Sequence, residues 1–130
     1  ATGENSKNAV REALPEFNRK NSENASAYIV TTVVLNRSGF DKDGTAVTEI
    51  GNGWAYYDLG LNNMALLLKA TELGISTLVM GIRDGEKLRK EFDIPETEAV
   101  VSVIAVGYTD SEIVRPKRKS LEDFAKFYEE

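Results

Sequence analysis

A nearly continuous run of apolar residues between Trp54 and Leu73 constrains the fold more than any other part of the sequence. At 100° per residue, its polar side chains fall into one narrow stripe, formed by Asp58, Asn62, Lys69 and Glu72. The apolar residues occupy nearly all of the remaining surface, roughly twice the arc that a surface helix needs. The run is therefore predicted to be a helix covered on two sides, by a sheet and by either a second layer or a second subunit.

The residues that follow this helix define its end and a short strand. Gly74 is suited to the left-handed C′ position that ends a helix. Residues 75–80 are predicted to form a short buried strand, which Gly81 breaks. Asn63 falls inside the apolar arc of the helix. We interpret it as a buried amide with satisfied hydrogen bonds rather than as a catalytic group.

Ahead of the long helix, the sequence predicts a short helix and a central strand. Ser6 is positioned to cap the short helix, and Pro15 predicts a kink or an early end. Its apolar positions are Val10, Ala13, Leu14 and Phe17. The polar segment 18–26 is predicted to be a loop. Residues 27–35 are β-branched and apolar on both faces, which favours a central strand.

Residues 36–53 form a long connection that carries three glycine turn signals. A connection longer than roughly 12–15 residues in a compact domain is either a binding loop or lid, or a disordered segment. The sequence leaves these two alternatives open.

The last third of the chain predicts two helices and one more strand. Asp84 is suited to cap a helix over residues 85–92, and residues 99–107 form a second fully apolar strand. Ser120 and Asp123 form a capping-box pattern for a final helix. Its apolar positions are Leu121, Phe124, Phe127 and Tyr128. The predicted class is α+β, with helices flanking a small sheet.

The absence of two residue types from the sequence excludes many kinds of catalysis by side chains. The chain of 130 residues contains no Cys and no His, which excludes disulfides, thiolate nucleophiles, Ser-His chemistry and the common zinc sites. A net charge of −5 disfavours a nucleic-acid partner, and no apolar run is long enough to span a membrane. An enzyme of this composition is expected to depend on a bound cofactor.

Short motifs give two candidate binding segments. Gly51-x-Gly53 is not a dinucleotide fingerprint, because position 56 is Tyr and no strand precedes it. The turn at residues 80–82 permits a flat ligand to approach the main chain, but its spacing alone favours an ordinary tight strand-to-helix turn. The basic segment 115–119 is suited to hold a phosphate through Lys117 or Arg118, but judged by itself it favours a solvated linker.

The order of these segments resembles the later part of the FMN-dependent nitroreductase family. The matching stretches are WAYYDLGLNNMALLLKATELGIST, VMGIRDGEKLRKEFDIPETEAVVSVIAVGY and RPKRKSLEDF. The resemblance covers residues 27–121. It implies a single nitroreductase-like domain over residues 1–130 that lacks the family's N-terminal, phosphate-binding segment. The implied fold is α+β, with a small, mostly antiparallel sheet and a long central interface helix.

The resemblance also implies cofactor, partners and site residues. Val79, Met80, Gly81 and Ile82 match the segment that lies over the flavin of FMN, with main-chain amides facing the ring. Lys117 and Arg118 match basic positions near the FMN phosphate. No catalytic side chain and no metal ligand is assigned. The implied protein is a cytoplasmic homodimer that contacts neither nucleic acid nor membrane.

Two functions from different classes follow from the resemblance. The first is an oxidoreductase that transfers hydride from NAD(P)H to a nitroaromatic, a quinone or a similar small acceptor. The second is a non-catalytic flavin-binding or dimerisation module that has lost the complete FMN site, because the Arg-Ser-x-Arg-type opening of the family is absent. A third interpretation is a fragment of a longer chain.

Overall fold

The computed structural model describes residues 1–112 and 114–128. Its helices are α1 (Glu4–Glu12), α2 (Glu16–Asn21), α3 (Gly53–Glu72) and α4 (Gly85–Glu91). Its strands are β1 (Ala27–Val34), β2 (Ser76–Met80) and β3 (Glu98–Gly107), followed by a single 3-10 turn at Leu121–Asp123. Helices and an antiparallel sheet confirm the predicted α+β class.

The strands form one sheet in the order β1-β3-β2, with antiparallel pairing on both sides of β3. The central strand is therefore β3, and the prediction that residues 27–35 are central is wrong for the described chain. On the other edge of β1, Tyr28 and Ala1 exchange backbone hydrogen bonds of 2.8 and 2.9 Å. The prediction of a buried strand at 75–80 is also wrong, since Leu78 and Val79 of β2 are exposed. Apolar composition does not distinguish an edge strand from a central one.

The core lies where α1 and α4 cover one face of the sheet. Its buried members include Val10, Leu14, Tyr28, Met80, Leu88 and Val103. Asp84 begins α4 by accepting a hydrogen bond of 2.9 Å from the Lys87 amide, which confirms the predicted cap. This packing holds the end of β2 against the start of α4.

The N-terminal helices differ from the prediction in three ways. Ser6 lies inside α1 and donates to the Gly3 carbonyl, so Gly3 and not Ser6 is the N-cap residue. The helix α1 ends before Pro15, which is one of the two predicted outcomes, but α2 then occupies part of the expected loop 18–26. Phe17 is exposed on α2 rather than buried. The six polar or bulky residues of α2 carry no helical apolar period, which is why the sequence did not show it.

The bounds of the long helix α3 confirm its predicted extent to within one residue at each end. Gly74 adopts φ of 71° directly after it, as the C′ position requires. Only Ala55 and Ala70 of α3 are fully buried, against β1 and β2. Asn63 is half-buried and has no side-chain hydrogen bond among the described residues, so its interpretation as a satisfied buried amide is wrong for a single chain.

The remaining segments lie on the surface. Within residues 36–52, backbone hydrogen bonds such as Asp41 to Thr45 and a bond of 2.8 Å from Trp54 Nε1 to Thr48 define the loop, which disfavours the disordered alternative. The capping box at Ser120 is present, but the predicted final helix is only one turn. Its apolar residues Leu121, Phe124, Phe127 and Tyr128 are exposed. Among the described residues, no helix combines the length and the apolar character that crossing a bilayer requires.

Candidate functional site

The turn that leaves β2 presents apolar side chains and bare backbone to solvent. Met80 points into the core with only 2% of its surface exposed, so only its main chain can reach a ligand. Strand alternation then turns Val79 and Gly81 outward. Val79 is 46% exposed and Ile82 is 75% exposed. These residues form a small apolar surface around a backbone that no side chain covers.

Gly81 has no structural reason to be glycine within the single chain. Its φ is not in the left-handed region, and a Cβ placed on it meets no atom within 4 Å. Gly39 differs, because a Cβ there would lie 2.5 Å from Trp54 Cδ1. Neither backbone conformation nor packing therefore requires glycine at position 81. A ligand or a second chain that approaches the backbone closely does explain it.

Two side chains hold the carbonyl groups of this turn. Arg83 donates from Nη1 to the Gly81 carbonyl at 3.0 Å, and from Nη2 to the Val100 carbonyl on β3. Asn18 on α2 donates from Nδ2 to the Ile82 carbonyl at 2.9 Å. Sequence reasoning missed both residues. Arg83 resembles any solvated basic residue in the sequence, and Asn18 lies 64 positions from its partner.

The backbone amides of the same turn are unpaired. Among residues 1–112 and 114–128, the N–H groups of Gly81, Ile82 and Arg83 have no hydrogen-bond acceptor. The next amide, that of Asp84, is paired and donates to the Ala13 carbonyl at 2.7 Å. Exposed donors beside apolar side chains match a flat heteroaromatic ring with acceptors on its edge. The flavin ring of FMN belongs to this class, and the residues of the turn fit it.

The predicted phosphate-binding residues are not joined to this turn within the chain. Lys117 and Arg118 lie in the extended segment after β3, and both are exposed. Within the described part of the chain, neither forms a hydrogen bond or an ion pair with residues 79–82. The proposed contact of Lys117 and Arg118 with a phosphate stays a prediction.

Other chemistry is sparse among the described residues. They contain no group of three or more acidic side chains placed to hold a metal ion. Hydrogen bonds to Lys7 and Arg11 lower the pKa of Glu4, and one to Lys87 lowers the pKa of Glu12. Both carboxylates are surface ion-pair partners. A shallow cavity of about 690 Å³ opens at the far end of β2, beside Gly74 and Gly107.

Comparison with known proteins gives matches that agree with the fold. A nitroreductase family protein from Clostridium difficile 630 superposes with a TM-score of 0.73 at 19% identity, over 98% of this chain and 70% of that one. A nitroreductase family protein from Streptococcus pneumoniae TIGR4 gives 0.76 at 19% identity, over 94% and 74%. An oxidoreductase containing FMN gives 0.64 at 24% identity, over 95% and 65%. No match was found among curated protein sequences. The sequence model of the nitroreductase family matches residues 2–108, and the chain therefore belongs to that family.

Proposed function

We propose that this protein is an FMN-dependent oxidoreductase that transfers hydride from NAD(P)H to a nitroaromatic, a quinone or a similar small acceptor. Membership of the nitroreductase family supports the proposal. The observation that carries it is the turn at Gly81, which is open above the glycine and exposes unpaired amides. A cytoplasmic location stays a prediction of the family resemblance.

The proposed roles divide between the turn and the basic segment. Val79 and Ile82 supply apolar contact to the ring, and the main chain from Met80 to Ile82 supplies close approach and hydrogen-bond donors. Lys117 and Arg118 provide positive charge for the phosphate. Bound FMN would supply the two-electron chemistry that a chain without His or Cys lacks. No side chain of the chain needs to exchange a proton in these roles.

The proposal includes a homodimer formed through α3. Four apolar side chains of α3 follow one another at positions i, i+4, i+7 and i+11 and are each more than half exposed: Tyr57, Leu61, Met64 and Leu68. We call this row the α3 stripe. A second copy of the chain presents the same stripe and can cover it symmetrically. The exposed apolar side chains of the C-terminal segment, including Phe124 and Phe127, are available to contact the same partner.

The visible absorbance spectrum of the purified protein tests the cofactor assignment. We expect the protein to be yellow as purified, or to become so and to retain FMN through a desalting column after FMN is added. A protein that stays colourless after incubation with excess FMN would contradict the proposal. Free FMN without protein, passed through the same column, is the control for carry-over.

Oxidation of NADH and NADPH distinguishes the enzyme from the non-catalytic alternative. That alternative has one observation in its favour, because Lys117 and Arg118 are not joined to the turn within the chain. With FMN saturating and a quinone present, the proposed enzyme consumes the nicotinamide, as measured by loss of its near-ultraviolet absorbance. Tight FMN binding with no consumption of either nicotinamide would favour a non-catalytic flavin-binding module.

A further inference from the structure

The turn after β2 is held by side chains from two separate parts of the fold. Arg83 bonds the Gly81 carbonyl at 3.0 Å and also reaches the Val100 carbonyl on the central strand. Asn18 approaches from α2 and bonds the Ile82 carbonyl at 2.9 Å. Each of the two consecutive peptide groups of the turn therefore has its carbonyl bound by a different side chain.

Binding a carbonyl also orients the amide of the same peptide group. A trans peptide is planar, and its C=O and N–H point in opposite directions. The described chain contains no cis peptide bond. Arg83, by holding the Gly81 carbonyl, directs the Ile82 N–H to the other side of the backbone. Asn18, by holding the Ile82 carbonyl, does the same for the Arg83 N–H.

These two amides are the donors that have no acceptor among residues 1–112 and 114–128. A group bonded on its carbonyl side costs less conformational entropy when its amide binds a ligand, because its orientation is already set. The turn is thus preorganised for a ligand that carries hydrogen-bond acceptors along one edge.

The charge of Arg83 adds a second effect. Its side chain is half-buried, and its Nε is buried without an acceptor in the described part of the chain. A cation bonded to a carbonyl polarises that peptide group and strengthens the N–H on its other end as a donor. A fixed positive charge at this position also favours negative charge that develops on a ring lying over the turn.

We propose that Arg83 and Asn18 are positioning residues that direct the Ile82 and Arg83 amides toward acceptor atoms on the edge of the bound flavin ring. The proposal rests on the proposed function for the identity of the ligand. It goes further by assigning a role to two side chains that touch the turn and not the ligand. Arg83 acts through the peptide group between Gly81 and Ile82.

Arg89 provides a matched control. It also bonds backbone carbonyls, those of Ile94, Pro95 and Glu98, and its Nε is also buried without an acceptor among the described residues. None of its hydrogen bonds involves residues 79–82. Arg89 also forms surface ion pairs with Glu86 and Glu96, so Arg89→Met removes at least as many structural contacts as Arg83→Met. Only Arg83→Met releases the turn.

The test compares Arg83→Met, Arg83→Lys, Asn18→Ala and Arg89→Met with the unmodified chain. We expect Arg83→Met to shift the Ile82 amide in ¹H–¹⁵N spectra of the ligand-free protein and to weaken FMN binding about tenfold. The reduction potential of the bound FMN should fall. Arg83→Lys keeps the positive charge but cannot donate to both carbonyls at once. Compared with Arg83→Met, it should therefore bring the reduction potential of the bound FMN closer to that of the unmodified chain than it brings the FMN affinity. Asn18→Ala should weaken FMN binding with less effect on the potential.

Arg89→Met should lower thermal stability while leaving the Ile82 amide, the FMN affinity and the potential unchanged. If Arg83→Met lowers thermal stability but has the same FMN affinity and FMN reduction potential as Arg89→Met, the positioning role of Arg83 is overturned. If the unmodified chain binds no FMN, the proposed function fails separately. In that case the ¹H–¹⁵N spectra of the ligand-free protein test the positioning role by themselves. An Ile82 amide chemical shift that Arg83→Met leaves unchanged contradicts the inference.

Discussion

Two glycines show how differently the same residue type is used in this protein. Gly74 ends α3 with φ of 71°, a conformation that an L side chain adopts only with strain. Gly81 has an ordinary conformation and open space where a Cβ would be. The first glycine is explained by the chain itself. The second is not explained by the chain itself, and the proposed approach of a ligand to the turn would explain it.

Alanine substitution separates these two uses. Gly74→Ala should destabilise the fold by about 1–2 kcal/mol because of the left-handed backbone. Gly81→Ala should change the free energy of unfolding by less than about 0.5 kcal/mol, yet weaken FMN binding because the new methyl group stands between ring and backbone. Urea unfolding and a fluorescence titration with FMN measure the two effects. Unchanged FMN affinity in Gly81→Ala would show that nothing approaches the backbone there.

At the scale of elements, α1 and α4 are joined by one surface ion pair. Lys87 Nζ lies 2.8 Å from Glu12 Oε2, and both side chains are largely solvated. The hydrogen bond from Lys87 lowers the pKa of Glu12 below its ordinary value of 4.5. A carboxyl group whose pKa is lower in the folded state stabilises the fold above its unfolded pKa, and this contribution disappears as the pH falls through the folded value.

Glu12→Gln should therefore lower the melting temperature slightly at pH 7, and the difference from the unmodified chain should vanish as the pH falls through the lowered pKa of Glu12. Thermal unfolding followed by circular dichroism at pH 3, 5 and 7 measures this. Glu91→Gln is a suitable control, since Glu91 forms no ion pair within the described residues. A difference that grows toward low pH would contradict the sign of this linkage.

Gly60 of α3 is a glycine that the packing of the single chain does not explain. It lies in the middle of a helix of 20 residues, where glycine is unfavourable, and a Cβ on it would meet no atom within 4 Å. It also flanks the α3 stripe between Tyr57 and Met64. In the proposed dimer, a glycine at this position would allow a second helix to approach α3 closely.

Gly60→Ala should stabilise the isolated chain by about 0.5–1 kcal/mol through helix propensity and should weaken self-association. Urea unfolding at low protein concentration measures the first effect, and analytical ultracentrifugation measures the second. A dimer as tight as that of the unmodified chain would place the partner elsewhere on α3.

At the scale of the whole molecule, one chain leaves much apolar surface uncovered. The α3 stripe is exposed, and so are the aromatic residues of the C-terminal segment, whereas only two alanines of α3 are fully buried. Soluble monomers rarely expose contiguous apolar patches of this kind without an interaction to cover them. The proposed assembly through α3 would cover the wide apolar arc of this helix.

Leu68→Glu tests that assembly. Leu68 is 63% exposed in the chain, so a charge there should leave the fold intact and weaken dimerisation by at least about a hundredfold, because the carboxylate would be buried at the interface. Ultracentrifugation across a concentration series measures the dissociation constant. Asn62→Glu introduces the same charge in the polar stripe of α3, about 120° around the helix from Leu68, and should not change the dissociation constant. A monodisperse monomer in the unmodified chain would refute the dimer outright.

Features that depend on neighbouring residues could be predicted from the sequence. The extent of α3, its stop at Gly74 and the cap at Asp84 follow from helical periodicity, left-handed glycine and a side-chain hydrogen bond three residues away. The strands β1 and β3 were equally visible as β-branched apolar runs. These signals are local, and tertiary packing did not override them.

The neighbours of each helix and strand were decided only by the tertiary structure. The central place of β3, the exposure of β2 and the existence of α2 depend on which segments meet, and hydrophobic periodicity does not specify partners. The same holds for the turn at Gly81. The sequence by itself determined that a glycine breaks the strand there. Only the folded chain brings Asn18 and Arg83 to the carbonyl groups of this turn, one of them across 64 residues. Hydrogen bonds between distant residues form only when the chain has packed.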